Sequence, residues 1–418
     1  MWSRKALALV TLGTLALLFG LVLADGQSVL IGTAALLFVG LASLRQSVTV
    51  RVQRAVPKDR FVEGDRQPIR LTVTNLRNED TPMLELYDQL SDRVRLVRGS
   101  NKRYFYLRPR QERAILYDIQ TPLRGVYRLG PIALRHSDFF GLFTEEERIE
   151  DIQDISVYPR IEEHAGLFVT SQRLRHYNGP FLTRQVGQST EFYSMRDYVK
   201  GDPLRKINWK ATARLRQLMV NEMERENLCD ILIMLDAREV NTLGTISTNP
   251  LEYSVKAAAS LANHYIRRKN QVGLLVYNDS LQMISPGGGE SQLSKILTML
   301  MATEGKGDLP FRGAFELSRP YINRRSALIL LSGLEFDPTM EETVEAMVAA
   351  GFNLTVISPS PAEFEAGLTQ TLTEKRDLVL LERENFLEDL QARGVRVIDW
   401  QPTETVSALL ERVVMGGF

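Results

Sequence analysis

A single cysteine, Cys229, leaves no partner for an intramolecular disulfide and no thiolate set for a zinc site. Histidine is almost as scarce. His136, His164, His176 and His264 show no HxxxH or comparable ligand spacing, so a histidine metal site has no support. Net charge is missing too: 51 basic residues balance 51 acidic ones, and no global field draws the chain to nucleic acid. The chain also lacks a Gly-x-Ser-x-Gly elbow, a GxxxxGK[ST] phosphate loop and a Cys/His pair. The Gly-rich run PGGGE at 286–290 has no lysine after it and reads as a loop. These absences remove the commonest signatures of hydrolases and nucleotide enzymes.

Charge is absent in a more informative way at the start of the chain. Residues 6–24, ALALVTLGTLALLFGLVLA, carry none, and after Asp25-Gly26 neither do residues 27–44, QSVLIGTAALLFVGLASL. Each run is long enough for a helix to cross a hydrocarbon core of roughly 30 Å. A cleaved signal peptide is the alternative for the first run. The second run of equal length, and the want of a small-x-small cleavage site, favour a transmembrane helical hairpin over residues 1–45. Arg4 and Lys5 precede it, Arg45, Arg51 and Arg54 follow it, and the turn holds only Asp25. The positive-inside rule then places both ends, and the soluble domains, in the cytoplasm at the cell membrane. Scarce cysteine fits that reducing compartment.

At 418 residues two or three domains are expected. Residues 46–150 read as short strands: SVTVRVQRAV, QPIRLTVTNL, RYFYLRP, RAILYDIQ, GVYRLG and PIALRHSD. Turn signals such as Glu63-Gly64-Asp65 and Gly99-Ser100-Asn101 separate them. That spacing suggests an immunoglobulin-like β-sandwich. The apolar patch FFGLF at 139–143 closes the block and reads as a core plug or interdomain contact.

From residue 229 to 418 strands and helices alternate. CDILIMLDA (229–237) is a near-continuous apolar run, as a strand buried on both faces should be, with Cys229 at its start as a small hydrophobe. Helices are expected over 251–270, 291–301, 339–351, 372–393 and 403–415, and strands over 271–279, 327–333, 353–360 and 395–400. LQMISP (281–286) reads as an antiparallel hairpin partner. This is an α/β fold with a doubly wound sheet, and it resembles a von Willebrand factor A-type domain. That family carries a metal site with Asp-x-Ser-x-Ser at the end of its first strand. Here Asp236 is present but Arg238 and Val240 replace the hydroxyls, and Leu331-Ser332-Gly333 lacks the aspartate expected later. The site at Asp236 is degenerate: no metal is expected, and Asp236 should cap a helix or pair with Arg238.

Between the two blocks, residues 151–228 form a linker that holds the densest motif of the chain. Over 191–218 it reads EFYSMRDYVKGDPLRKINWKATARLRQL, with Arg196, Tyr198, Gly201, Asp202, Arg205, Asn208, Trp209, Lys210 and Arg214 close together. Gly201 suits a tight turn, and Pro203 a first helical turn with Asp202 as cap. Arg196 and Arg205 can pair with Asp197 or Asp202. Ile207, Trp209, Ala211 and Ala213 are candidates for burial, with Asn208, Lys210 and Arg214 outward. QLMVNEME (217–224) alternates like a strand that joins the sheet beginning at 230.

With Glu191-Phe192, Arg196-x-Tyr198, Gly201-Asp202, Arg205-x-Ile207-Asn208-Trp209-Lys210 and Ala213-Arg214, the motif resembles the domain-of-unknown-function family fifty-eight. The resemblance implies two membrane helices, a β-rich segment and a von Willebrand-like domain. It also implies a protein partner, a MoxR-type AAA+ ATPase, for which the chain would be an adaptor; with the catalytic motifs absent, a non-enzymatic role with no cofactor and no small-molecule substrate is expected. An ATPase-independent envelope scaffold is one alternative. A hydrolase using Asp197, Asp202 and Lys210 is another.

Overall fold

The structure is a computed structural model that describes residues 2–42, 48–57, 60–137, 140–162, 192–223, 230–323, 326–334, 337–359, 364, 373–401 and 404–415. Cys229 and Glu191 lie outside them, as do His164 and His176. The chain divides into two units: Met1–Ile161 with Thr245–Ala259 and Ser294–Glu304, and Glu162–Gly244 with Ser260–Leu293 and Gly305–Phe418.

The first unit begins with an apolar helix pair, α1 (Arg4–Val22) and α2 (Gly26–Ala42). α1 is long and apolar enough to cross a membrane, and α2 is a shorter apolar helix. The Ser3 hydroxyl accepts from the Ala6 N–H at the start of α1, and Asp25 accepts from the N–H groups of Gln27 and Ser28 at the start of α2. The helices touch through glycines. A Cβ on Gly32 would stand 2.6 Å from the Leu17 nitrogen, so only glycine permits the approach. Leu12, Leu15 and Leu37 point away from the pair, exposed, as side chains facing hydrocarbon would be.

Ten strands follow: β1 (Val50–Ala55), β2 (Arg60–Val62), β3 (Arg66–Asn75), β4 (Leu84–Leu90), β5 (Arg95–Gly99), β6 (Lys102–Phe105), β7 (Glu112–Gln120), β8 (Gly125–Ser137), β9 (Thr144–Ile149) and β10 (Gln153–Tyr158). They form one sheet in the order β1-β3-β7-β5 and a second in the order β2-β10-β8-β4-β6, with β9 on β8. Inward residues of both sheets share one core, with Ile69, Leu71 and Val73 meeting Leu84, Leu86, Leu129 and Leu134. GVYRLG and PIALRHSD, read separately in the sequence, are one strand, β8. β10 lies past residue 150 and still belongs to the second sheet. Of the patch at 139–143, residues 140–143 meet the helix pair and residue 139 lies outside the described residues: Phe140 lies edge-on to Phe38 at 4.7 Å, Phe143 to Trp2 at 5.4 Å, and the Ser3 N–H donates to the Leu142 carbonyl.

The second unit holds a six-stranded sheet of β13 (Asp230–Asp236), β14 (Gln271–Tyr277), β15 (Leu281–Gly287), β16 (Ala327–Leu331), β17 (Asn353–Pro359) and β18 (Arg396–Trp400), in the order β15-β14-β13-β16-β17-β18. All neighbours pair in parallel except β14 with β15. Helices α4 (Pro250–Arg267) and α5 (Glu290–Ala302) are divided between the units. Helices α6 (Phe311–Ser318), α7 (Met340–Ala349), α8 (Thr373–Ala392) and α9 (Val406–Met415) complete the fold. Leu232, Met234, Leu328 and Leu330 bury on one face against Phe315 of α6 and Met347 of α7. The alternate residues Ile231, Ile233 and Ile329 are buried too, so the central strands have no solvent face.

A two-stranded sheet stands apart from these. β11 (Phe192–Asp197) pairs with β12 (Met219–Met223) antiparallel, from Arg196 opposite Val220 to Asp197 opposite Met219. This corrects the expectation that residues 217–224 extend the sheet beginning at 230. A hairpin partner only about 20 residues upstream costs less loop-closure entropy than a new edge position.

Candidate functional site

Residues 192–223 form a small module tied together by its own hydrogen bonds. Between the two strands run a turn at 199–202, a short 3-10 turn at Leu204–Lys206 and helix α3 (Trp209–Leu215). Gly201 sits at φ +116°, a backbone conformation that side chains with a Cβ rarely adopt, and lets the chain reverse there. Arg196 grips Asp202 with both terminal nitrogens, Nη1 to Oδ2 and Nη2 to Oδ1, each at 2.7 Å. The same carboxylate accepts the Val199 N–H at 3.0 Å, and the Asp202 N–H returns to the Val199 carbonyl. The Arg196 hydrogen bonds first, then the Val199 amide, hold the Asp202 carboxyl down to about 2. Asp202 therefore closes a turn and caps no helix. Pro203 flanks the 3-10 turn, whose start has no side-chain cap.

The cap of α3 is Asn208. Its Oδ1 accepts the Ala211 N–H at 3.0 Å, while its Nδ2 donates to Asn221 Oδ1 on β12 at 2.9 Å. Its backbone N–H donates to the Met219 carbonyl, and Thr212 Oγ1 accepts the Met219 N–H at 3.1 Å. Ile207 is buried against Val220. Asn208 thus ties helix to strand, a role its expected outward position did not anticipate.

Trp209 is the second correction. It is 66% exposed, and Ala213 on the same short helix is exposed too, because among the described residues nothing packs over that face of α3. Leu204 is 70% and Val199 62% exposed. Arg205, Lys210 and Arg214 are exposed beside them, and no ion pair involves them among the described residues. The module carries seven basic residues (Arg196, Lys200, Arg205, Lys206, Lys210, Arg214, Arg216) against three acidic ones (Asp197, Asp202, Glu222) in a chain with no net charge. Tyr198 contributes a backbone bond, its N–H to the Leu218 carbonyl. Of the three residues of a hydrolase reading, Asp202 has both oxygens on a guanidinium, and Asp197 and Lys210 are exposed.

A second charged cluster lies at the carboxyl edge of the six-stranded sheet. Asp236 ends β13 and is paired with Arg238, Nε to Oδ1 at 2.9 Å and Nη2 to Oδ2 at 2.7 Å. Ser332, just past β16, donates to Asp236 Oδ2 at 2.7 Å. Arg238 Nη1 reaches Asp337 Oδ2 at 3.3 Å, and that oxygen also accepts the Phe311 N–H. All four residues are buried, Arg238 to 4% exposure. Burial alone would lower the Arg238 pKa, but the hydrogen bonds and charge of Asp236 outweigh it and the value rises. A divalent cation needs several oxygens free to converge. Here the guanidinium takes both Asp236 oxygens, so this residue set does not fit a metal.

Along the same edge, Arg383 of α8 donates to the Gly333 carbonyl, to Ser358 Oγ and to Asp399 Oδ1, at 2.8–2.9 Å. Sequence reading missed this arginine inside a charged helix. Its one signal is that 372–393 carries more charge than a doubly wound sheet needs on its surface.

Residues 194–370 match the family described as protein of unknown function DUF58. The uncharacterised protein YeaD of Bacillus subtilis is 21% identical over 369 residues, 86% of this chain and 85% of YeaD. Among solved structures, Escherichia coli alpha-2-macroglobulin aligns at 18% identity and a TM-score of 0.23, over 27% of this chain and 7% of that one. A CARDB domain from Pyrococcus furiosus aligns at 17% identity and a TM-score of 0.20, over 28% of this chain and 95% of that domain.

Proposed function

We propose that this protein, which carries a DUF58 family domain over residues 194–370, is a membrane-anchored adaptor whose soluble domains face the cytoplasm. It works with a MoxR-type AAA+ ATPase in the assembly or maturation of protein complexes. The first-unit strands form an immunoglobulin-like sandwich, and the six-stranded sheet is von Willebrand factor A-like. Two sheets on one core support the first name, and a parallel order with one antiparallel edge strand supports the second. Anchoring is supported by the apolar helix pair, and orientation by Arg4, Lys5, Arg45 and Arg51 beside it.

The observation that carries the adaptor reading is Trp209. A tryptophan 66% exposed beside basic side chains with no ion pair among the described residues is poised for a partner. The role is non-enzymatic: a carboxyl held at about 2 by its arginine is a weak base at neutral pH.

The test is capture from native membranes. The wild-type chain should retain the ATPase, and Trp209→Ala, Arg205→Ala and Lys210→Ala should lose it while unfolding normally. Unchanged capture by folded variants takes the module out of the interface. Capture of envelope proteins without any ATPase favours the independent scaffold.

A further inference from the structure

The turn between β8 and β9 lies against the helix pair, yet its ring at Phe140 is 52% exposed. Ser137 opposite Thr144 is the last pair of this hairpin, and the described part of its tip is residues 140–143. Leu142 is buried, and its carbonyl accepts the Ser3 N–H at 2.8 Å, which fixes the tip to the start of α1. Trp2 lies edge-on to Phe143 and is 54% exposed. A core plug would not leave two such rings half in solvent. We propose that the β8–β9 tip is a third membrane element, which sets Phe140 and Trp2 in the headgroup–acyl boundary of a lipid bilayer.

The depth of the tip follows from the register of the helix pair. A Cβ on Gly13 would meet Ala35 and one on Gly20 would meet Val29, so the antiparallel pair continues to Phe38 level with Val10 and Thr11. That level is roughly 10 Å along α1 from Arg4 at 1.5 Å per residue. Phe140, with its ring 4.7 Å from that of Phe38, shares it. Arg4 and Lys5 are the last charges before the apolar run and both are exposed, as side chains among headgroups would be. Phe140 therefore lies on the apolar side of them. Beyond the tip the hairpin turns polar, with Glu146 of β9 on Arg135 of β8 at 3.0 Å, so the immersed part is short. Aromatic rings favour the boundary, where one side is apolar and the other wet. An irregular backbone is tolerated there, because water is within reach and the Leu142 carbonyl is already paired. Residues 140–143 carry no charge, so the contact requires no particular headgroup. It is continuous with the helix pair and gives the strands of the first unit a second fixed point on the bilayer. The inference rests on the anchoring reading of α1 and α2.

The experiment uses the full chain in phosphatidylcholine vesicles, with Cys229→Ser as background and one new cysteine carrying a nitrobenzoxadiazole label. Leu12→Cys marks the span, Glu146→Cys the water side and Phe140→Cys the tip. Labels at Leu12 and Phe140 should lose most of their emission to nitroxide-bearing lipid and keep it in iodide. At Glu146 the order should reverse. Quenching at Phe140 by iodide, or by neither agent, while lipid quenches Leu12 would overturn the inference and leave the anchor standing. A label at Leu12 that lipid does not quench would remove the anchor, and the inference with it. If Phe140→Cys does not fold, Phe143→Cys in the same tip decides by the same two quenchers.

Discussion

Arg196 and Arg238 each hold an aspartate with two nitrogens, at 2.7 Å in one case and 2.7–2.9 Å in the other, yet they do opposite work. The first pair closes a turn on a small module open to solvent. The second lies under the carboxyl edge of a large sheet, where both partners are sealed from water. The geometry of the fork is the same, so burial sets the difference. In water an ion pair contributes little, because the two ions lose almost as much hydration as they gain. In the interior a charge left without its partner has nothing to replace it, and loss of one member is severe.

The largest effect should come from the buried side. Arg238→Met should cost about 3–5 kcal/mol in denaturant unfolding, because it strands Asp236 and half of Asp337. A cost below about 1 kcal/mol would erase the contrast. In the exposed module, Asn208→Ala should cost about 1 kcal/mol. The loss should be local, read as faster hydrogen exchange in α3 with no change in the six-stranded sheet. Trp209→Ala should shift stability by less than about 0.5 kcal/mol while removing partner capture. A large stability loss there would mean that Trp209 is packed after all.

The smallest effect is that of pH on the Arg196–Asp202 turn. Its carboxyl is held at about 2 against an ordinary 3.8, so the folded turn favours the ionised form. The resulting stability is present above the ordinary value and lost as pH falls through about 2. Pepsin digestion should leave 198–203 intact near pH 4 and cut it as the pH approaches 2. Arg196→Ala should move that onset upward.

Long periodic segments were legible before any coordinates. The helix expected over 251–270 is Pro250–Arg267, and the strand expected over 353–360 is Asn353–Pro359. Both carry patterns set by burial, which sequence records directly. The strand Thr144–Ile149, TEEERI, was missed because it pairs at the edge of β8 and buries almost nothing. The helix Phe311–Ser318 was missed because its eight residues include a glycine. At the candidate site the residue types were visible but their partners were not. Asp202 reads equally well as a helix cap or an arginine partner, and only the turn at Gly201 decides. Trp209 was a candidate for burial with Ile207, Ala211 and Ala213, and of these Ile207 is the one the structure buries. Sequence does not say that, among the described residues, no layer covers the Trp209 face of α3. The pairing of Asp236 with Arg238 was within reach, being two residues apart. The contribution of Asp337, some hundred residues on, was not.

The contact of Trp2 and Phe38 with Phe143 and Phe140 has a consequence for synthesis. The helix pair leaves the ribosome before its aromatic partners, which follow about 100 residues later. At 5–20 residues per second that is a wait of roughly 5–20 s. During that interval the open end of the helical hairpin has no cover, and the β8–β9 hairpin must form before it gains one. The helix pair is therefore made well before the aromatic contacts that cover its open end.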